Sequence, residues 1–191
     1  MVKNIGFCLL MLVSSVVFSK TACDAQTNTG LADCAQENYR SADKTLNRSY
    51  SELLGTVTAA EKQNLIATQR AWITYKEKYC NSAFDAATPG AEASVDKWSC
   101  LESVTEARTS EIRYLGSSIG MNAFRRSLTV MAALYENGDV KKVISKLERN
   151  TPDGNDPDWV KYVHLNCGMT AAKLQEDHDA CVARLNFFKN W

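Results

Sequence analysis

The sequence predicts an all-α protein held together by disulfides, and three observations carry that expectation. Apolar residues recur at helical spacing from Leu31 to Phe188. No segment alternates apolar and polar residues as a half-buried strand would. Six cysteines remain once an N-terminal export signal is set aside, an even number of the kind that pairs in an oxidising compartment. Of the 191 residues, 45% are hydrophobic and 23% charged, an ordinary globular composition. Twenty-two basic side chains balance twenty-two acidic ones, so no net field favours nucleic acid.

The chain opens with a lysine at position 3 and an apolar run from Ile5 to Phe18. Fourteen residues are too few to span a bilayer and suit a signal-peptide core. Cleavage is expected after Ser19, which removes Cys8 and predicts a periplasmic or secreted protein with no membrane span left. Cleavage before Cys23 would make a lipoprotein, but Lys20 stands where that signal wants an aliphatic residue.

A first helical stripe runs through Ala35, Tyr39, Ala42, Leu46 and Leu53, and Gly55 is expected to end it. Thr58 to Glu61, "TAAE", is a capping box for a second helix reaching about Asn81. Pro89-Gly90 breaks the pattern. A third helix follows from about Val95, through Trp98, Leu101, Arg108 and Ile112, to Gly116. Phe124, Leu128 and Met131 mark a fourth, stopped by "ENGD"; Asp139 can cap a short fifth through Leu147. Asp156-Pro157 reads as an N-cap with proline at the first helical position, opening a sixth. A seventh carries Cys181, Leu185 and Phe188. The division is therefore residues 1–19 signal, 20–117 a three-helix bundle, and 118–191 helix pairs weakly like tetratricopeptide repeats.

The expected disulfides use Cys23, Cys34, Cys80, Cys100, Cys167 and Cys181. Facing residues of an antiparallel hairpin lie equally far from its turn, since each residue rises ~1.5 Å. Cys167 and Cys181 centre on Leu174, which predicts a bridge and a turn near residues 173–177. Cys34 and Cys80 centre on the Gly55–Thr58 break, while Cys80 and Cys100 centre on Pro89-Gly90. The spacing favours Cys34–Cys80 with Cys23–Cys100, and Cys80–Cys100 with Cys23–Cys34 is the alternative.

"DCA" at Asp33, then Ala42, Asp43, Leu46, Asn47 and Tyr50, "ATQRAWITY" from Ala67, Cys80, and Cys100 with Thr105 and Arg108 follow in order. Together they resemble the LprI-type lysozyme-inhibitor family of exported bacterial proteins, over about Cys23 to Leu115. Where that family usually has an arginine–aspartate pair before the second-helix cysteine, this chain has Lys76 and Glu77. The resemblance implies a protein partner, a lysozyme or other peptidoglycan-cleaving enzyme, that is bound and inhibited. A dedicated immunity protein against a wall-targeting toxin would serve the same chemistry. A periplasmic helical adaptor with no enzyme target is the alternative.

Asp43, Asn47, Gln69, Arg70, Thr105 and Arg108 fall on or beside faces that bury aromatic and aliphatic neighbours. They are expected to form a polar network across three helices, with Arg70 or Arg108 paired to Asp43. No catalytic residue, metal or cofactor is expected. His164 and His178 belong to no ligand motif, no serine has a nucleophile-elbow context, and the glutamates 61, 77, 102, 106 and 111 read as exposed helix faces. The acidic "QEDHDAC" reads as a solvated helix start. Partner binding is expected instead from the segment between Cys80 and Cys100, where Phe84, Asp96, Lys97 and Trp98 mix aromatic and charged groups.

Overall fold

The computed structural model describes residues 22–117, 121–149 and 156–189. The expected signal peptide, the boundary at residue 118 and most of the turn-rich stretch before Pro157 lie outside them. The described residues form seven helices and no strand: α1 Asn28–Thr56, α2 Ala59–Ala87, α3 Ala93–Ser117, α4 Asn122–Tyr135, α5 Val140–Arg149, α6 Pro157–Leu174 and α7 His178–Lys189.

Local chemistry sets most of the ends. Thr27 caps α1 by accepting from the Gly30 amide. The Thr58 hydroxyl accepts from the Glu61 amide while the Glu61 carboxylate accepts from the Thr58 amide, completing the capping box. Helix α1 runs through Gly55 instead of stopping there, and Val57 takes extended backbone before the box. Helix α2 continues six residues past the expected Asn81, because Ser82–Ala87 contains good helix formers and nothing opposes it before Pro89. Gly90 is needed in the turn that follows: a Cβ there would meet the Ala87 carbonyl oxygen at 2.6 Å. Gly138, at φ 86°, closes α4 by donating to the Ala132 carbonyl at 2.8 Å. Asp156 caps α6 by accepting from the Asp158 and Trp159 amides.

Helix α3 is the axis of the first half. It packs along α1 and against α2, and α6 covers the other side of α2. Helices α4 and α5 pair, and α7 lies on both α5 and α6. A tetratricopeptide-like repeat is not confirmed; the two helix pairs differ in length and α6 is spent on α2. The largest apolar cluster joins Leu46, Leu65, Trp72, Tyr75, Ile112 and Leu115 from the first half to Trp159, Tyr162, Cys167, Cys181 and Leu185 from the second. A smaller cluster, Phe124, Leu128, Val143, Ala183 and Phe187, lies between α4, α5 and α7.

The disulfides are Cys23–Cys34, Cys80–Cys100 and Cys167–Cys181, with Cα–Cα separations of 5.8, 5.5 and 5.7 Å. The third is the expected one, across the turn at 175–177. The favoured Cys34–Cys80 with Cys23–Cys100 is corrected to the alternative pairing. Cys80 and Cys100 face each other across the α2–α3 turn, whereas α1 lies principally along α3 and spends Cys34 on its own leading segment. The Cys23 sulfur is paired with that of Cys34.

A buried polar relay links α2, α3, α6 and α7. Arg108, 1% exposed, donates from Nε to Gln69 Oε1 at 2.9 Å and from Nη1 to Asn166 Oδ1 at 2.7 Å and Tyr162 Oη at 3.3 Å. Asn166 Nδ2 donates to Glu111 Oε2 at 3.0 Å. Glu111 pairs with Arg184, which also holds Glu176 in a two-pronged pair at 2.9 and 2.7 Å. Burial works against both charges, lowering Arg184 to about 9 and raising Glu176 above the usual carboxylate range. Two guanidiniums and two carboxylates balance, which is how such charges survive without solvent.

This relay differs from the expected network. Gln69 and Arg108 are in it and Thr105 is buried beside it, but Asp43 is bonded to Asn47 at 2.9 Å along α1. Arg70 points outward and is exposed. Glu102 and Glu111, expected on exposed faces, are buried. Glu176 serves the relay, and within the same acidic stretch Asp177 caps α7.

Arg184→Ala should therefore cost about 3–5 kcal/mol, since it strands two carboxylates. Arg70→Ala should stay within about 0.5 kcal/mol of the parent. Urea unfolding followed by circular dichroism measures both, and equal losses would contradict the relay.

The capping glutamate gives a pH signature. The Thr58 amide and the Lys173 ammonium, at 2.9 Å, hold Glu61 down to about 2 from 4.5. A depressed carboxylate stabilises the fold above its unfolded value and loses that contribution as pH falls through the folded one. The difference in melting temperature between the parent and Glu61→Gln should thus be present at neutral pH and shrink between pH 4.5 and about 2. A difference that persists undiminished to the acid end would show that the carboxylate charge is not responsible.

Candidate functional site

The α2–α3 hairpin ends in a braced tip. Cys80 lies seven residues before the end of α2 and Cys100 seven after the start of α3, so their bridge closes the hairpin two turns from its end. The Cys23–Cys34 bridge fixes the leading segment of α1 at the same end of the bundle. Between Cys80 and Cys100 the structure brings Phe84 and Lys97 together, the ammonium 5.5 Å from the ring centroid. Both are half-buried, and Asp96 is exposed in the first turn of α3. Trp98 is half-buried as well. It stacks on Tyr39 of α1, ring centroids 5.7 Å apart, and so fastens α3 to α1 beneath the tip.

Tyr39 also receives a hydrogen bond from Lys76 Nζ at 3.1 Å, and the same ammonium lies 5.3 Å from the Tyr39 centroid and 5.0 Å from that of Trp72. This explains why a lysine can occupy a buried stripe of α2. Its stem packs among the rings while its charge meets two aromatic faces and a hydroxyl. The Trp72–Lys76 spacing of four shows that the two share a helix face, but only the fold adds Tyr39.

Below the tip an open groove of about 700 Å³ runs between α2, α3 and the start of α6. Tyr75, Tyr79, Lys78 and Asp156 are among its walls, and Lys78 is held by Asp156 at 3.0 Å and Asp158 at 3.1 Å. These ion pairs dock the second half on the first. Among the described residues no group of three His, Cys, Asp or Glu side chains is placed to hold a metal ion. The tip can offer a partner a rigid mixture of ring, cation and carboxylate; the groove can offer a concave aromatic wall.

A profile of the family described as Lysozyme inhibitor LprI matches residues 19–112, ending within α3. An uncharacterized protein of Rhizobium meliloti (strain 1021) is 31% identical over 98 residues, covering 44% of this chain and 70% of its own length. No solved structure matches the chain. The chain belongs to the LprI lysozyme-inhibitor family. The matched part is the disulfide-braced three-helix bundle and its tip, while α4 to α7 lie beyond it.

Trp98→Ala should cost about 2 kcal/mol of stability, through the lost stack and apolar contact with Tyr39. Thermal melting checks this, and an unchanged midpoint would place the indole outside the packing of α1 on α3.

Proposed function

We propose that this chain is an exported, non-catalytic inhibitor of a peptidoglycan-cleaving enzyme, acting by occupying the enzyme's cleft. The observation that carries the reading is family membership across α1 to α3. Three disulfides fit the oxidising periplasm or exterior, where such an enzyme would be met. No described helix is long and apolar enough to cross a membrane. The same binding chemistry would serve an immunity protein directed at a wall-degrading toxin.

The tip is the proposed contact. A segment braced at both ends loses little freedom on binding, and lower ordering cost leaves more of the contact energy as affinity. Phe84 and Lys97 pre-pair as a ring with a cation, and Asp96 stands beside them in solvent. Glycosidases that cleave such walls work with two carboxylates flanking the scissile bond. An ammonium held on an aromatic shelf suits that acidic floor, with the ring displacing water where sugar would lie. Trp98 supports the tip from beneath through Tyr39.

The mature protein, titrated into a muramidase acting on suspended cell walls, should abolish clearing near one equivalent. Phe84→Ala combined with Lys97→Ala should weaken inhibition at least about thirtyfold, the loss of roughly 2 kcal/mol at a hot spot. Its circular dichroism should match the parent. Clearing that proceeds unaffected under excess parent protein, across muramidases of several types, sinks the inhibitor reading; full potency in the folded double variant moves the contact off the tip.

A further inference from the structure

Four of the six large apolar side chains exposed among the described residues sit on one helix pair. Val130 is 55% exposed, Leu134 67%, Tyr135 75% and Val140 36%, all on α4 or the start of α5. Arg126, Val130 and Leu134 follow at intervals of four and form one outward ridge of α4. Helix α5 turns Val143 into the small core and Ile144 and Leu147 against it, and sends Lys141, Lys142, Lys146 and Arg149 outward. A hollow of about 340 Å³, lined by Met131, Tyr135, Val143 and Leu147 with the Glu136–Lys146 ion pair at its edge, lies between the two ridges. Residues 121–149 carry six basic and three acidic side chains, a net charge of +3 in a chain that is neutral overall. Residues 22–117 carry ten basic and thirteen acidic ones, a net charge of −3.

We infer that the α4–α5 pair is a peripheral membrane-binding surface that lies on an anionic phospholipid bilayer, with the α4 ridge dipping into the acyl boundary and the α5 cations on the headgroups. An apolar face beside a lysine- and arginine-rich one is the pattern of helices that lie in a membrane interface, and tyrosine is enriched at that depth. Two features favour a lipid surface over a protein. Leu134 and Tyr135 protrude, which suits a fluid medium needing no matching shape, whereas protein hot spots fill well-packed pockets. On α5 the exposed Lys141, Lys142 and Arg149 outnumber the acids near them, the exposed cap Asp139 and the Glu136 that pairs with Lys146, and a net cationic face matches a negative plane. A second copy is disfavoured, because apposing two such faces brings +3 against +3. With no described helix able to cross the bilayer, the association is one of lying on the surface.

The test is co-sedimentation of the mature protein with vesicles of equal parts phosphatidylglycerol and phosphatidylcholine, against vesicles of phosphatidylcholine alone. Binding to the anionic vesicles, absent from the neutral ones and lost at about 1 M salt, is expected. Leu134→Glu with Tyr135→Glu should weaken it about tenfold or more, as should Lys141→Glu with Lys142→Glu. The second pair places acids in the first turn of α5, where a helix favours them, so the fold is kept. Lys44→Glu, exposed on α1, should bind as the parent does. Three outcomes overturn the inference: no binding to either vesicle, equal binding to both, or binding unchanged in both α4–α5 variants. A parent that ignores vesicles yet sediments as a dimer, dispersed by the Leu134 and Tyr135 changes, would assign the face to self-association instead. None of these outcomes bears on inhibition of a soluble muramidase by the tip.

Discussion

Arg108 dictates much of what surrounds it. A guanidinium at 1% exposure cannot shed its charge, so it draws acceptors and a π-face around Nε and Nη1, while Nη2 is buried without a hydrogen-bond partner. Gln69 supplies one acceptor from α2, Asn166 another from α6, and the Tyr162 ring and hydroxyl lie alongside. With Asn166 Oδ1 turned to Arg108, its Nδ2 faces the other way and donates to Glu111. Glu111 then needs a cation, which α7 delivers as Arg184, and Glu176 answers the second charge. Each step fixes the next, so the relay sets how α6 and α7 sit on the bundle. Its members come from both sides of the family match, which makes the second half a partner in the core and not a tail.

That interior constraint frees the outside for recognition. The relay and the aromatic cluster around Tyr75 hold the bundle in its middle, and two disulfides hold its α2–α3 end. The tip therefore need not contribute to stability, and its rings and charges can be chosen for a partner. Trp98 marks the border. It lies inside the tip segment by sequence, yet its face is taken by Tyr39. A residue two positions earlier, Asp96, is wholly on the outer side.

Helix positions are legible in this sequence because each stripe, cap and turn is a local property. The Thr58–Glu61 box, the Asp156 cap and the Gly138 stop stand as their residues imply. Disulfide partners are legible only where one coordinate decides. The hairpin rule fixes height along the bundle axis, and it selects Cys167–Cys181. At the other end Cys34, Cys80 and Cys100 share nearly one height, so the choice depends on angle around the axis, which periodicity does not give. The polar network shows the same limit. Gln69 and Arg108 are recognisable from the helical faces they occupy, but Arg70 is adjacent to Gln69 and points away by one helical step. Glu111 and Arg184 are separated by seventy-three residues, and no local pattern couples them.

Helix α7 shows how little a short apolar stripe reveals of what surrounds a helix. Cys181 and Leu185 belong to the large cluster, while Ala183 and Phe187 belong to the small one. Arg184 enters the relay, and Asn186 donates to the Leu147 and Glu148 carbonyls at the end of α5. Beyond its exposed first turn the helix is engaged on several faces, so the polar Arg184 and Asn186 are buried beside the apolar stripe, as expected for a core helix with polar duties. The consequence is architectural. Helices α4 and α5 reach the rest of the molecule chiefly through α7, and their own core is small, so little apolar area on α4 is consumed by packing. Among the described residues nothing packs on the ridge of Val130 and Leu134, and the exposed cations of α5 lie on the neighbouring helix. A bundle that is complete without this face leaves it available for contacts outside the chain.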